Sequence, residues 1–78
     1  MEFTVKCTWH DDENIWVAQS SSDKFALTTD HYSFDALLER VKIIIEDIAE
    51  VELGYKGEIK LVLEVDRTIK LNTAVAMA

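Results

Sequence analysis

The chain has 78 residues, of which 49% are apolar and 29% are charged. A chain of this length has room for one small core, and its composition is that of a folded domain rather than a disordered segment. Its 15 acidic and 8 basic residues give a net charge of −7, which argues against nucleic acid as the main partner and favours a basic protein. The alternative is that the charge serves solubility alone.

The sequence has no apolar run near the roughly 20 residues that cross a bilayer, and its first residues, MEFTVKC, lack the features of a signal peptide. We therefore expect a cytoplasmic protein that does not enter the membrane. The one cysteine, Cys7, cannot form an internal disulfide. Packing must therefore hold the fold together, with self-association as a further source of stability.

Alternating apolar and polar residues predict an antiparallel meander of three short strands at the start of the chain. The first strand covers residues 2–10, the second covers residues 15–19, and the third is marked by Phe25 and Leu27. A polar run at residues 10–14 supplies the first turn. The side chains of the first strand that are expected to face the core are Phe3, Val5, Cys7 and Trp9.

The second strand divides its side chains between two faces of the sheet. We expect Ile15 and Val17 to face the core and Trp16 and Ala18 to lie on the opposite face. The sequence contains no second helix that could cover this outer face, and tryptophan is enriched among the anchoring residues of protein interfaces. The outer face is therefore a candidate protein interface, although a lone exposed tryptophan is the alternative. Its candidate residues are Lys6, Thr8, Trp16, Ala18 and Val62.

The segment that follows Ser33 predicts one amphipathic helix. Ser33 is a suitable N-cap, and Asp35 lies near the positive end of the helix dipole. Ile43 falls outside the apolar stripe, and Gly54 is expected to end the helix in the left-handed conformation. The apolar stripe, with spacings of three and four residues, consists of Phe34, Leu37, Leu38, Val41, Ile44, Ile45, Ile48 and Val51.

A fourth strand follows the helix, and its odd-numbered residues 59–65 are expected to face the core. A strand, a helix and a strand in one small sheet favour a crossover that places the last strand beside the first. The sequence thus predicts an α+β fold of the form β-β-β-α-β with strand order 3-2-1-4, in a single domain over residues 1–67. Residues 68–78 are expected to form a tail or an extra edge strand.

No group of residues predicts catalysis, because none places a nucleophile or a base beside a partner that tunes it. His10 and the acidic residues 11–13 carry ligand atoms, but neighbouring residues in a turn rarely point at one metal ion. Asp30 and His31 are expected to cap or solvate the chain before the helix. We therefore expect a protein that is not an enzyme and that uses neither a metal nor a cofactor. Its tryptophans and tyrosines could stack on unpaired bases, but the basic groove that nucleic acids require is missing.

Two motifs resemble a known family. The pattern W-x-x-x-x-x-x-W-V-A begins at Trp9, and the pattern S-F-D-A-L-L-E-R-V begins at Ser33. Over the stretch from about Phe3 to Arg67, the chain is similar to small prokaryotic proteins related to the HicB-like antitoxins. The resemblance implies a degenerate ribonuclease H-like domain of three strands, a helix and a fourth strand. Working nucleases of this fold hold metal with carboxylates, whereas the first strand here carries threonine and lysine, so nuclease activity is not implied.

The resemblance also implies partners. Antitoxins of this kind neutralise a small basic toxin that cleaves messenger RNA, and they form dimers or larger oligomers. The proline-containing turn common in that family is replaced here by residues 21–25, in which Asp23 and Phe25 are further candidate contacts. Because the chain stops after a short tail, the additional DNA-binding domain of many such proteins is not expected. A homo-oligomeric domain without a toxin partner and a weak nucleic-acid binder remain as alternatives.

Overall fold

A computed structural model describes residues 1–20, 25–69 and 71. These residues form a four-stranded mixed sheet with one helix on one face. The class and the strand order β3-β2-β1-β4 confirm the predicted α+β topology. In chain order, the elements are β1 (Glu2–His10), β2 (Ile15–Ser20), β3 (Thr28–His31), α1 (Phe34–Asp47), a π-helical turn (Ile48–Glu52) and β4 (Lys60–Asp66).

The hairpin between β1 and β2 determines which side chains of β2 face the core. His10 pairs directly with Ile15, so the loop between them has an even number of residues. An even loop places each odd-numbered residue of β1 opposite an even-numbered residue of β2, and directly opposed residues share one face. Trp16 and Ala18 are therefore in the core, at 7% and 0% exposure. The prediction that these two residues face outward is wrong; Ile15 and Val17 take the outer face instead.

Strand β3 begins later than predicted. It spans Thr28–His31, and Phe25 and Leu27 precede it. The carbonyl of Leu27 accepts a hydrogen bond from the amide of Ser20 at 3.0 Å, and Leu27 is buried. The ring of Phe25 meets that of Phe3 edge to face, with centroids 4.9 Å apart. The two residues are thus apolar because they pack against the core from a loop, and not because they alternate along a strand.

Helix α1 begins as predicted, since the Ser33 hydroxyl accepts a hydrogen bond from the amide of Ala36 at 3.3 Å. Ile43 is exposed, also as predicted. The helix packs closest to β2 and β3. The core it completes with the sheet consists of Phe3, Val5, Cys7, Trp16, Ala18, Leu27, Leu37, Val41, Ile45, Ile48 and Ala49.

The helix ends in a π turn that the apolar spacing does not predict. The amide of Leu53 donates to the carbonyl of Ile48, five residues earlier, at 3.1 Å. This wider turn holds one additional residue and rotates the side chains that follow it. Ala49, four residues after the buried Ile45, lies in the core, whereas Val51 within the wide turn is 71% exposed, so the predicted place of Val51 in the apolar stripe is wrong. Gly54 follows with a φ of 62°, which confirms the left-handed ending.

Strand β4 runs parallel to β1, with Leu61 beside Phe3 and Leu63 beside Val5. As predicted, the odd-numbered residues of β4 face the helix side of the sheet, but Leu61 and Leu63 are only half-buried and Val65 is 55% exposed. The extra strand predicted in residues 68–78 is not present at the described positions 68, 69 and 71. The rest of that segment lies outside the described residues.

Candidate protein-binding surfaces

The outer face of the sheet carries three of the predicted interface residues. Lys6 and Thr8 of β1 and Val62 of β4 lie on the side away from α1. Lys6 sits between Gln19 and Glu64 on the neighbouring strands, so this face is mostly polar. The interface role of the three residues stays a prediction.

The remaining predicted interface residues lie elsewhere. Trp16 and Ala18 are in the core, which removes the aromatic anchor on which the outer-face interface was predicted. Phe25 is half-buried against Phe3 on the helix side of the sheet. Asp23 falls outside the described residues.

An aromatic cluster closes the core at the hairpin end of the sheet. The rings of Trp9 and Trp16 are 5.4 Å apart, and the ring of Phe34 meets Trp16 at 4.9 Å. The guanidinium of Arg67 lies 4.6 Å from the centre of the Trp9 ring, within cation–π range. The indole Nε1 of Trp9 donates to an Asp11 carboxylate oxygen at 3.0 Å. These contacts join the first hairpin, the helix and the end of β4.

Sequence reasoning missed Arg67, although a signal for it exists. Arg67 follows Leu63 and Val65 at the same spacing of two, and it extends the helix-facing side of β4 by one position. The register pairs Thr8 of β1 with Asp66 of β4, so the next residue, Arg67, lies beside Trp9.

A cavity and the cysteine thiol are the two features near the hairpin and the core that bear on possible chemistry. A cavity of about 310 Å³ lies against Trp9 and the acidic turn, lined further by His10, Asp11, Asp12, Glu13 and Thr68. Among the residues the structure describes, no three histidine, cysteine, aspartate or glutamate side chains are grouped as metal ligands. The Cys7 thiol is buried, and burial raises its pKa, so it remains protonated and serves as a packing group.

The helix side of β4 is a second candidate surface, which we call the β4 shelf and define as Ile59, Leu61, Leu63 and Val65. Because α1 lies over the other half of the sheet, a groove of about 330 Å³ opens between α1 and β4. Among the residues that the structure describes, β4 is the last strand of the sheet and pairs only with β1. An unpaired strand edge beside partly exposed apolar side chains is a common protein-binding feature. The groove is lined by Lys42, Ile45, Glu46, Ile59 and Leu61.

The solvent side of α1 and its π turn is a third candidate, which we call the acidic helix face. Two large apolar side chains are exposed there, Ile43 at 67% and Val51 at 71%. Lys42 forms an exposed ion pair with Glu39 at 3.2 Å, and the last turn of α1 contains no basic residue. Carboxylates near a helix C-terminus interact unfavourably with the helix dipole, so Glu46 and Asp47 in the last turn do not stabilise the helix in this way. The exposed carboxylates are Asp35, Glu39, Glu46, Asp47, Glu50 and Glu52.

The comparisons with known proteins identify a family. Neither the search of curated proteins nor the search of solved structures finds a match. Within the described residues, no helix is long and apolar enough to span a bilayer. A family model described as "Domain of unknown function (DUF1902)" matches residues 2–76, and the chain therefore belongs to that family.

Proposed function

We propose that this domain acts by binding another protein and not by catalysis, as an antitoxin-like inhibitor of a small basic protein that cleaves RNA. The observation that carries this proposal is the acidic helix face, where Ile43 and Val51 are exposed among carboxylates. Protein interfaces combine apolar contacts with complementary charge. The two motifs that resemble HicB-like antitoxins support the class of partner.

The overall charge supports the same partner. A net charge of −7 attracts a basic protein over distances of about 10 Å at 0.1 M salt and raises its association rate. Binding of this kind weakens as the salt concentration rises, whereas purely apolar binding does not. The salt dependence of the dissociation constant therefore reports whether the acidic residues take part.

The test is to express the domain with the product of a neighbouring reading frame that encodes a small basic protein. We expect the two to co-purify and the RNA cleavage by the basic protein to stop when the domain is added. Calorimetry should then show that Asp47→Lys and Glu50→Lys weaken binding by at least about tenfold, roughly 1.4 kcal/mol. Glu64→Lys is the matched control, because it makes the same charge change on the outer face of the sheet. Unchanged cleavage, or equal effects of all three substitutions, would contradict the proposal.

A second candidate function is self-association without a toxin partner. It is favoured by the free edge of β4 and by the β4 shelf, because self-association is a common way to cover such an edge. Light scattering over a range of protein concentrations tests it, and a monomer throughout that range would rule it out.

Nucleic-acid binding is a third candidate and has the least support. Trp16 is buried and the ring of Trp9 is covered by Arg67, so neither indole offers a free stacking surface. We expect no retardation of mixed RNA and DNA in a gel shift at low salt, where phosphate contacts are strongest. A clear shift at micromolar protein would revive this candidate.

A further inference from the structure

We propose that a second copy of the chain pairs with the free edge of β4, antiparallel, with the two-fold axis at Leu63. The inference rests on the self-association put forward as the second candidate function, and it is independent of the basic partner. It names the occupant of the β4 edge and the register in which it binds.

The backbone of β4 restricts the possible registers. The amide of Lys60 donates to the carbonyl of Met1 at 2.8 Å, so the backbone groups of Lys60 point toward the β1 side. Successive residues of a strand point their backbone groups to alternate sides, so those of Leu61, Leu63 and Val65 point to the free edge. In a dimer, each residue whose backbone groups point to the free edge must pair with such a residue of the other copy. An odd-numbered residue must therefore pair with an odd-numbered residue.

Charge and strand length then select one register. With Leu63 on the axis, all seven residues of β4 are paired, and Lys60 of each copy lies opposite Asp66 of the other. Opposite charges that face each other across two strands stabilise the pair. An axis at Val62 pairs only residues 60–64 and carries Asp66 past the end of the strand, opposite Glu58. An axis at Glu64, one residue after Leu63, places the Glu64 side chains of the two copies opposite each other, where they repel.

The side chains on the helix side of β4 fit the same register. Leu63 meets its own copy on the axis, and Leu61 of each copy lies opposite Val65 of the other. The 55% exposure of Val65 and the half-buried Leu61 and Leu63 give this face apolar area that the helix leaves uncovered. Because α1 lies over β2 and β3, two copies can meet at β4 without bringing their helices together. The two sheets would join into one, with both β4 shelves side by side on the same face.

Cysteine cross-linking tests the register directly. Leu63→Cys places two thiols on the axis, where the Cα atoms of a hydrogen-bonded antiparallel pair are about 5.5 Å apart, within disulfide range. We expect mild oxidation to cross-link Leu63→Cys into a covalent dimer. Val65→Cys is the matched control: it is more exposed but faces Leu61 of the other copy, so it should stay uncross-linked. Cys7 gives little background because it is buried.

The outcomes separate the two levels of the proposal. A monomer by light scattering at all concentrations would overturn both self-association and the inference. A dimer in which Val65→Cys, or Val62→Cys, cross-links better than Leu63→Cys would overturn the register and leave self-association standing.

Charge reversal supplies a second, independent measurement. Lys60→Glu and Asp66→Lys each put two like-charged pairs into the homodimer, and we expect each to raise the dimer dissociation constant by about tenfold. In a mixture of the two variants, the heterodimer has both pairs complementary, so native mass spectrometry should show the heterodimer in excess over both homodimers. Lys60 also forms an exposed ion pair with Glu2 at 3.7 Å. Lys60→Glu removes this ion pair in the homodimer and in the heterodimer alike, so its loss does not favour the heterodimer. A statistical mixture would overturn the register.

Discussion

The indole rings of Trp9 and Trp16 lie opposite each other across the first hairpin, with centroids 5.4 Å apart and planes inclined at 57°. Trp16 is the buried member of the pair, and the ring of Phe34 meets it at 4.9 Å from the start of the helix. The pair therefore couples the hairpin to the helix that covers it.

Trp16→Ala should be among the most destabilising single substitutions in the chain. Removing a buried indole leaves a cavity between the sheet and Phe34, and large aromatic-to-alanine changes in cores cost about 3–5 kcal/mol. Urea unfolding followed by circular dichroism measures this loss. Ile43→Ala, at a 67% exposed apolar position, is the control and should change the free energy of unfolding by no more than about 0.5 kcal/mol. Similar values for the two variants would contradict the burial of Trp16.

Arg67→Ala should destabilise the fold modestly, because it removes the guanidinium that lies 4.6 Å from the Trp9 ring centre. Exposed cation–π contacts contribute about 0.5–1 kcal/mol. A double-mutant cycle with Trp9→Ala isolates this contact from the other effects of each substitution. Arg67→Lys should retain part of the coupling energy. A coupling energy of zero would show that the contact does not contribute to stability.

The Cys7 thiol should react slowly in the native protein. Burial raises its pKa, so the reactive thiolate is less populated at a given pH than in an exposed cysteine. Alkylation by iodoacetamide should be slow at pH 8 and fast after denaturation in urea. The pKa of Cys7 is higher in the folded state than in the unfolded state. Its contribution to stability is therefore fully present at neutral pH, where the thiol is protonated in both states. The contribution is lost as the pH rises above the ordinary cysteine value, about 8.5, through the folded-state pKa. Equal alkylation rates with and without urea would contradict the burial.

The two glycines should differ in their tolerance of alanine. Gly54 has a φ of 62°, and a Cβ there would meet no atom within 4 Å, so Gly54→Ala should cost about 1–2 kcal/mol from backbone strain alone. Gly57 has a φ of 142°, and a Cβ there would lie 3.1 Å from the hydroxyl oxygen of Tyr55. That hydroxyl donates to the Glu58 carbonyl at 2.7 Å, so Gly57→Ala should cost more. Thermal unfolding of both variants measures the two losses of stability. A larger loss for Gly54→Ala than for Gly57→Ala would contradict the prediction.

Much of the fold could be predicted because side-chain periodicity is a local signal. The period of two identified β1 and β4 and assigned the face of the sheet on which their side chains lie, and the spacing of three and four identified the helix up to Ile48. The strand order followed from the connection between a strand, a helix and a strand.

The errors arose where the structure depends on a count rather than a pattern. Both faces of β2 carry apolar side chains, so its alternation alone could not decide between Trp16 and Val17. The number of residues in the hairpin loop decides, because a change of one residue there turns every side chain of β2 to the other face. The exposure of the β4 shelf has a different origin, because it depends on which strands the helix covers, and the periodicity of β4 carries no information about that.

The π turn at Ile48–Glu52 has a consequence for how the chain could change in length. A turn closed by a hydrogen bond over five residues contains one residue more than an ordinary helical turn needs. Loss of a single residue there would leave an ordinary helical turn and keep the residues from Leu53 onward in their present orientation. The junction between the helix and β4 can therefore absorb a one-residue deletion, whereas the first hairpin cannot.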